Sequence, residues 1–433
     1  MSALTGPKLR VAICGGGIGG LSLACALSRD REIAVDVYER STDFNPEVGA
    51  GISIGSRNKP FLSELGLVED LAAISRRSGS VFSINKADTS ELQTIIEGEN
   101  DETSMVYRAE FHGILHRRIP KHVGMLNNKT LVSYVDSGDA GSPVRLEFAD
   151  GSTATCDVLV GADGVKSAVR AAMLEDLAQR TQDVGKSTKL REGISPRFSG
   201  VTSYRTVVPK EKSTLPADSS VWTAAAKIYT GGGRALVTYP MSQGNKLNTA
   251  LYTFDHSKED SIHPQPWAEQ VRGDELVSLL DGWAQEPRDI IAGFKGLDTK
   301  KWVVNTVGPL EDWSAGRVTL LGDAAHAMTP FQGAGAGQAM EDAWALSTLL
   351  AHPRVTRDTV QQALRVYSDV RRPIATAFQE SSSSAGKLMT NGTLSPDELK
   401  AQFWVSGQSV WGRPSAEADV QQAVEMLEKT IAA

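Results

Sequence analysis

The stretch LRVAICGGGIGGLSLACAL, residues 9–27, restricts the fold more than any other part of the chain. LRVAIC (9–14) reads as a short buried strand, LSLACALSR (21–29) as a helix and IAVDVYE (33–39) as a second strand, which together make a β-α-β unit. Between the first strand and the helix, Gly15-Gly16-Gly17-Ile18-Gly19-Gly20 satisfies G-x-G-x-x-G in the strand-to-helix context that gives this pattern its meaning. Gly15 permits the tight turn, Gly17 lets a pyrophosphate approach the backbone, and Gly20 lets helix and strand pack closely. Ile18 and Gly19 open the helix, whose free N–H groups and positive dipole end face the phosphates. Glu39, at the end of the second strand, is placed to accept hydrogen bonds from ribose hydroxyls and to repel a 2′-phosphate, with Arg40 beside it among the cofactor-facing positions. A dinucleotide site follows, but this turn alone does not separate FAD from NAD.

The remainder of the chain has room for more than this unit. Its 433 residues suggest two or three domains, or one large interrupted one, and 41% apolar residues supply a sizeable core. A formal net charge of −7 argues against a dedicated nucleic-acid binder. Cys14, Cys25 and Cys156 do not suggest a disulfide framework. MSALTGPKLR carries no apolar signal region, and the glycine-broken apolar stretch that follows is too short for a membrane span. The expectation is a soluble protein of a reducing, cytoplasmic compartment.

Strand-like SVFSIN and ELQTIIE precede a helix starting near Arg108; VRLEF and STATCD flank a turn at Ala149-Asp150-Gly151, and DVLVGAD (157–163) is another buried strand. Residues 174–197 are polar with little periodicity and read as a long surface connection. SGVTSYRTVV, SVWTAAAKIY, RALVTYPM and NTALYTFD then predict an antiparallel sheet, followed by a helix around 265–284. RVTLLGDA returns to buried-strand character and leads through a small-residue run into an amphipathic helix; a long helix at roughly 358–382 and a mixed tail follow. The pattern divides the chain into a dinucleotide-binding unit from 1–80, 106–175 and 296–385, a substrate unit from 81–105 and 176–295, and a C-terminal helical tail, 386–433.

Two later segments point to the cofactor. One strand ends in Gly161-Ala162-Asp163-Gly164, and the strand from Val318 to Leu321 ends in Gly322-Asp323. With the N-terminal turn they resemble the three fingerprints of the group A, single-component flavoprotein aromatic hydroxylases. VGAGISIG (48–55), VYRAEF (106–111) and GDAAHAMTPFQGAGAGQAMED are similar to the salicylate hydroxylase-like members, over nearly the whole chain. The resemblance implies an α/β fold: a Rossmann-type FAD-binding domain with an inserted antiparallel β-sheet substrate domain. It also implies an NAD(P)H- and O2-dependent FAD monooxygenase that hydroxylates a small phenolic or aromatic acid through a flavin C4a-hydroperoxide, as a monomer or homodimer. By the same likeness Asp323 would hydrogen-bond the ribityl or pyrophosphate part of FAD and Arg108 would reach FAD from the start of its helix. Gly51 and Ile52 would pack near the isoalloxazine ring, and Asp163 belongs to a motif used for both FAD and NADH or NADPH. Gly333, Gly335 and Gly337 let backbone lie against a flat ring, and the helix opened by Gly335 and Ala336 would aim its N-terminus at the flavin. Pro330 and Phe331 stand where the family borders the substrate.

Arg205 and Tyr239 match positions that hold and deprotonate the phenol in fungal phenol-dearomatising members. A guanidinium favours the phenolate, and a tyrosine hydroxyl can orient its oxygen. The same pair also fits a sheet arginine bound to a surface carboxylate and a core tyrosine. Bacterial salicylate hydroxylases carry Phe at the Tyr position, so decarboxylative hydroxylation and dearomatisation both stay open, as do a flavin reductase or dehydrogenase and a non-catalytic flavoprotein. Gly51-Ile52-Ser53-Ile54-Gly55 spells a nucleophile elbow, but EVGAG before it is no strand. His112, His116 and His122 lack the carboxylate or cysteine of a metal set and read as a solvated helix face; no metal is expected. His326 reads as a packing or flavin-adjacent residue rather than a general base.

Overall fold

The computed structural model describes residues 6–44, 50–75, 81–99, 103–139, 141–390, 394–411, 413 and 415–432. Val48 and Gly49 of the VGAGISIG stretch and Ser80 of SVFSIN lie outside them.

The N-terminal β-α-β unit forms Leu9–Cys14, the helix Ile18–Leu27 and Ile33–Tyr38. Its first strand is central in a six-stranded sheet, in the order Ser314–Ala315, Val318–Leu320, Val158–Gly161, Leu9–Cys14, Ile33–Tyr38 and Gly124–Leu126. All pairs are parallel except the short Ser314–Ala315 edge. The three glycine fingerprints therefore come from loops at the carboxyl ends of adjacent parallel strands, where ligands of open α/β sheets bind.

The second sheet has eight strands: Ala268–Arg272, Asp298–Thr306, Arg197–Pro209, Lys246–Phe254, Arg234–Met241, Ala226–Gly231, Val81–Lys86 and Gln93–Glu99. It is not wholly antiparallel, because Val81–Lys86 joins Ala226–Gly231 in parallel. Asp298–Thr306 belongs to this sheet, so sheet membership changes after residue 306 rather than at 296. The helix Val360–Thr390 likewise runs across position 385.

Three local expectations fail for identifiable reasons. The 174–197 stretch is helical, with Ala168–Arg180 and Val184–Glu192. Side chains of Ser167 and Asp183 accept first-turn amides, and Glu175 pairs with Arg191 between the two helices. The apolar stripe of the first helix begins before Leu174, with Val169, Met173, Leu174 and Ala178 buried at helical spacing, and the caps add to it. Residues 265–284 hold the edge strand Ala268–Arg272 and a 3-10 segment, Gly273–Leu280, before the helix Gln285–Ala292. Its helix formers are overridden by pairing with Asp298–Thr306. Finally, the helix Gly335–Ala351 is buried nearly all round rather than amphipathic, Glu341 and Asp342 included. It lies against Ile18–Leu27, Val360–Thr390 and Ala416–Ala432.

Candidate active site

The glycine turn fits its sequence logic atom by atom. Gly15 has φ +112°, and a Cβ there would collide with the Ala162 carbonyl of the Gly-Ala-Asp-Gly loop. A Cβ on Gly20 would strike the Gly15 carbonyl, so the helix can approach only without side chains. At Gly17 the Cβ position faces open space. Ile18 and Gly19 are buried, Gly19 against Leu321 and Ala339. Glu39 accepts the Gly16 amide at 2.7 Å and the Ser41 amide at 2.9 Å. Burial acts to raise the Glu39 carboxyl, but these amides, the Ser41 hydroxyl and Arg40 outweigh it and hold it ionised below its ordinary value. Arg40 itself is exposed.

His112 grips the same turn from the other side. It is buried, not solvated, and its Nε2 lies 2.7 Å from the Gly16 carbonyl oxygen, to which it donates. Burial lowers its basicity, with Arg108 and His116 acting the same way and the Gly16 bond and Glu39 opposing. The two successive peptide groups that flank the Gly16 Cα are therefore fixed, the first at its N–H by Glu39 and the second at its C=O by His112. His116 instead stacks on Phe44, and His122 meets Arg31.

Arg108 begins the helix Arg108–Arg118, one turn before His112. It is partly buried, and burial pulls its guanidinium below the ordinary value against the attraction of Asp323 and Glu39. Among the described residues it forms no ion pair. Asp323 is exposed at the start of its helix, after Gly322 with φ +63°. Asp163 turns its carboxylate onto the next helix, accepting the Ser167 hydroxyl at 2.5 Å and the amides of Ala168 and Val169. Burial raises it against these bonds.

Arg170 gave no signal in the sequence. Fully buried, it bonds the carbonyls of Ala324, Val165, Gly193 and Ile194, tying the Asp-Gly loop to the Gly-Asp loop. Burial draws it down to about 10. Ser381 and Ser382, from the SSSS run, play a similar part. Ser382 donates to the Thr329 carbonyl at 2.5 Å, and Ser381 accepts the Gln332 side-chain amide at 2.9 Å.

Strand register assembles the other wall. Directly paired residues share a face, so Ser203↔Tyr252, Arg205↔Ala250, Val237↔Ala250 and Tyr239↔Asn248 place Arg205 and Tyr239 on one face. That face meets the first sheet's loops. Asn248 accepts the Gly51 amide at 2.8 Å, and a Cβ on Gly51 would collide with the Tyr239 hydroxyl. Ile52 pairs with Val106 in the short ladder beside it. Phe331 stacks on Phe254 and meets Tyr252, with Pro330 opening its 3-10 turn. Burial pushes the Tyr239 hydroxyl well up, Tyr252 adds to this, and Arg205 opposes it. Arg205 donates from Nε to Ser203 Oγ at 2.9 Å and forms no ion pair among the described residues. Ser53 donates to the Gly333 carbonyl, which makes it a loop tie rather than an elbow nucleophile. The helix Gly335–Ala351 presents its N-terminus nearby with no side-chain cap and no acidic residue in its first turn; the Cβ position of Gly335 faces open space, with Ala336 next to it.

A cleft of about 410 Å³ lined by Cys25, Arg29, Arg31, Arg118 and His122 lies at the far end of Ile18–Leu27 from the glycine turn, away from this assembly.

Comparison with known proteins agrees with this geometry. The family described as FAD binding domain matches residues 8–382. The chain is 35% identical to FAD-dependent monooxygenase str9 of Strobilurus tenacellus, over 88% of each chain. It is 31% identical to a salicylate hydroxylase of Pseudomonas putida, over 88% of this chain and 86% of that one. The structure of a salicylate hydroxylase substrate complex superposes with a TM-score of 0.80 at 28% identity, covering 96% of this chain and 98% of the other. The chain therefore belongs to the FAD binding domain family and, within it, to the FAD-dependent monooxygenases.

Proposed function

We propose that this protein uses NAD(P)H and O2 to hydroxylate a small phenol or aromatic acid. The observation that carries the reading is the register that sets Arg205 and Tyr239 on the sheet face bonded to Gly51 through Asn248. The residues fit FAD. Gly17 and Gly335 leave open the space that a Cβ would fill, Arg108 is a half-buried cation without an ion-pair partner among the described residues, and the Gly335–Ala351 helix end is uncapped. Gly15, Ile18, Gly19, Gly20, Glu39, Arg40, Asp163 and Asp323 would hold the dinucleotide, and Gly51, Ile52, Gly335 and Ala336 would border its ring. When bound, the flavin supplies reduction by nicotinamide and activation of dioxygen.

The chain's own residues do the rest. Arg205 holds the phenol as its anion, raising its nucleophilicity, and Tyr239 orients that oxygen. Tyr239 stays protonated because burial disfavours its phenolate, so it acts as a donor. Pro330, Phe331, Tyr252 and Phe254 exclude water from the reacting face. Residues 81–99 and 197–306 form the substrate-side unit and the six-stranded sheet with its loops the flavin-side unit, in a cytoplasmic monomer or homodimer. The hydroxyl of Tyr239 favours, as a second reading, oxidative dearomatisation of a phenol. The test is to screen phenols and aromatic acids for stimulated NADH or NADPH consumption and to assay the product for oxygen from labelled O2. NAD(P)H oxidation without oxygen in the product would leave a reductase instead.

Gly17→Ala separates a ligand role from a folding role. The added methyl meets no protein atom, so the flavin-free melting temperature should stay within about 2 °C. FAD affinity should fall by about tenfold or more, because a van der Waals overlap replaces close backbone approach. Flavin fluorescence titration checks this, and undiminished affinity would remove Gly17 from the site.

A further inference from the structure

The pairing of Arg197–Pro209 with Asp298–Thr306 sets Lys300 directly opposite Arg205. Both are partly buried and share a face. Like charges directly opposite one another on a sheet are unfavourable, and strands normally avoid or neutralise them. The neighbouring lysine is so neutralised: Lys301, on the other face, sits across from Glu269 and pairs with it at 2.6 Å. Lys300 is flanked by Arg205 on one side and the uncharged Gln270 on the other. The carboxylate two residues away on its own strand, Asp298, accepts the Gln270 amide at 2.5 Å and makes no ion pair with Lys300. Neither Lys300 nor Arg205 has an ion-pair partner among the described residues.

Local rules broken without compensation are expected at functional or strained sites. We infer that Lys300 and Arg205 together form a two-cation seat for a substrate bearing a carboxylate ortho to its phenolic oxygen, Lys300 being the residue that selects the acid. The inference rests on the hydroxylase reading above and extends it. An ortho acid presents two adjacent anionic oxygens, matching two adjacent cations. Arg205 takes the phenolate and Lys300 the carboxylate. Ser203, opposite Trp302 and bonded to Arg205 Nε, steers the guanidinium. A neutral phenol uses Arg205 alone, so Lys300 separates the two substrate classes.

The test uses the FAD-loaded enzyme with 2-hydroxybenzoate and phenol as probes. Binding is read from perturbation of the flavin absorbance and, separately, from KM and kcat. Lys300→Met should weaken 2-hydroxybenzoate about tenfold to a hundredfold, as expected for one charge-assisted hydrogen bond, and leave phenol within about twofold. Lys300→Arg should keep most of the acid affinity, which a general packing defect would not allow. Equal losses for both probes, no loss for either, or a wild-type enzyme that binds phenol but not the acid would overturn the inference. The last result leaves hydroxylation intact if phenol is oxygenated. Conversely, selective loss of acid binding without oxygenated product would uphold the seat and remove the proposed reaction.

Discussion

Arg205→Ala is expected to lower kcat/KM with the productive substrate by about a hundredfold or more, as removal of a preorganised charge from a reacting oxygen does. FAD should stay bound, since Arg205 lies on the eight-stranded sheet and, among the described residues, reaches none of the glycine loops through a hydrogen bond. Stability should change little, because no ion pair is broken among the described residues. The pH dependence has a defined sign. The guanidinium opposes the burial and the Tyr252 contribution that raise Tyr239, so its loss pushes Tyr239 further up. The substrate phenol, losing the same cation, also ionises less readily in the site. Residual activity should therefore require higher pH, with the acid limb of the rate profile displaced to the alkaline side, and Arg205→Lys should recover part of it. An unchanged rate would discard Arg205 as the anion holder.

Asp342→Asn should have the largest effect on stability. Asp342 is fully buried and joins three elements: it accepts the Gly322 amide at 3.0 Å, His326 Nε2 at 2.6 Å and Arg371 Nε at 2.9 Å. Arg371 also binds Glu341, which binds Arg57, which reaches Asp419 of the C-terminal helix at 2.7 Å. The Gly-Asp loop is thus tied to the last helix through charges that are buried, apart from the partly buried Arg57. Removing one charge leaves Arg371 under-neutralised in the core, a loss of about 3–5 kcal/mol, and the new amide confronts donors with a donor. Urea unfolding checks this; a midpoint equal to the parent's would show that the network is not under load. Burial acts to raise Asp342, but His326 and Arg371 overcome it and hold it low. Its contribution is therefore fully present above the ordinary value of 3.8 and lost as pH falls through the depressed one, so the variant's deficit should shrink in strong acid.

The buried run Leu9–Cys14, the glycine turn and the three glycine-ended strands were legible because each signal is local: a period, a spacing, a residue whose missing Cβ is needed at one place. The strands carrying Arg205 and Tyr239 were legible for the same reason. Other features were not. His112 read as a solvated helix residue because its partner, the Gly16 carbonyl, lies on another element. Arg170 carried no local signal, because the four carbonyls that its guanidinium bonds come from three separate segments. The acidic pair in Gly335–Ala351 suggested a polar face, but Arg57, Arg371 and His326 arrive from separate segments and let those charges enter the core.

The sequence by itself determined that the chain builds a dinucleotide-binding α/β unit interrupted by a sheet, since hydrophobic period and glycine spacing act over a few residues. Only the tertiary structure decided that Arg205, Tyr239 and Lys300 share one face, and that the face rests on Gly51. Register fixes that choice, and a one-residue slip of any one of their three strands would turn that strand's residue to the opposite face. Register is set by packing and hydrogen bonds between strands far apart in the chain, where no local pattern reaches.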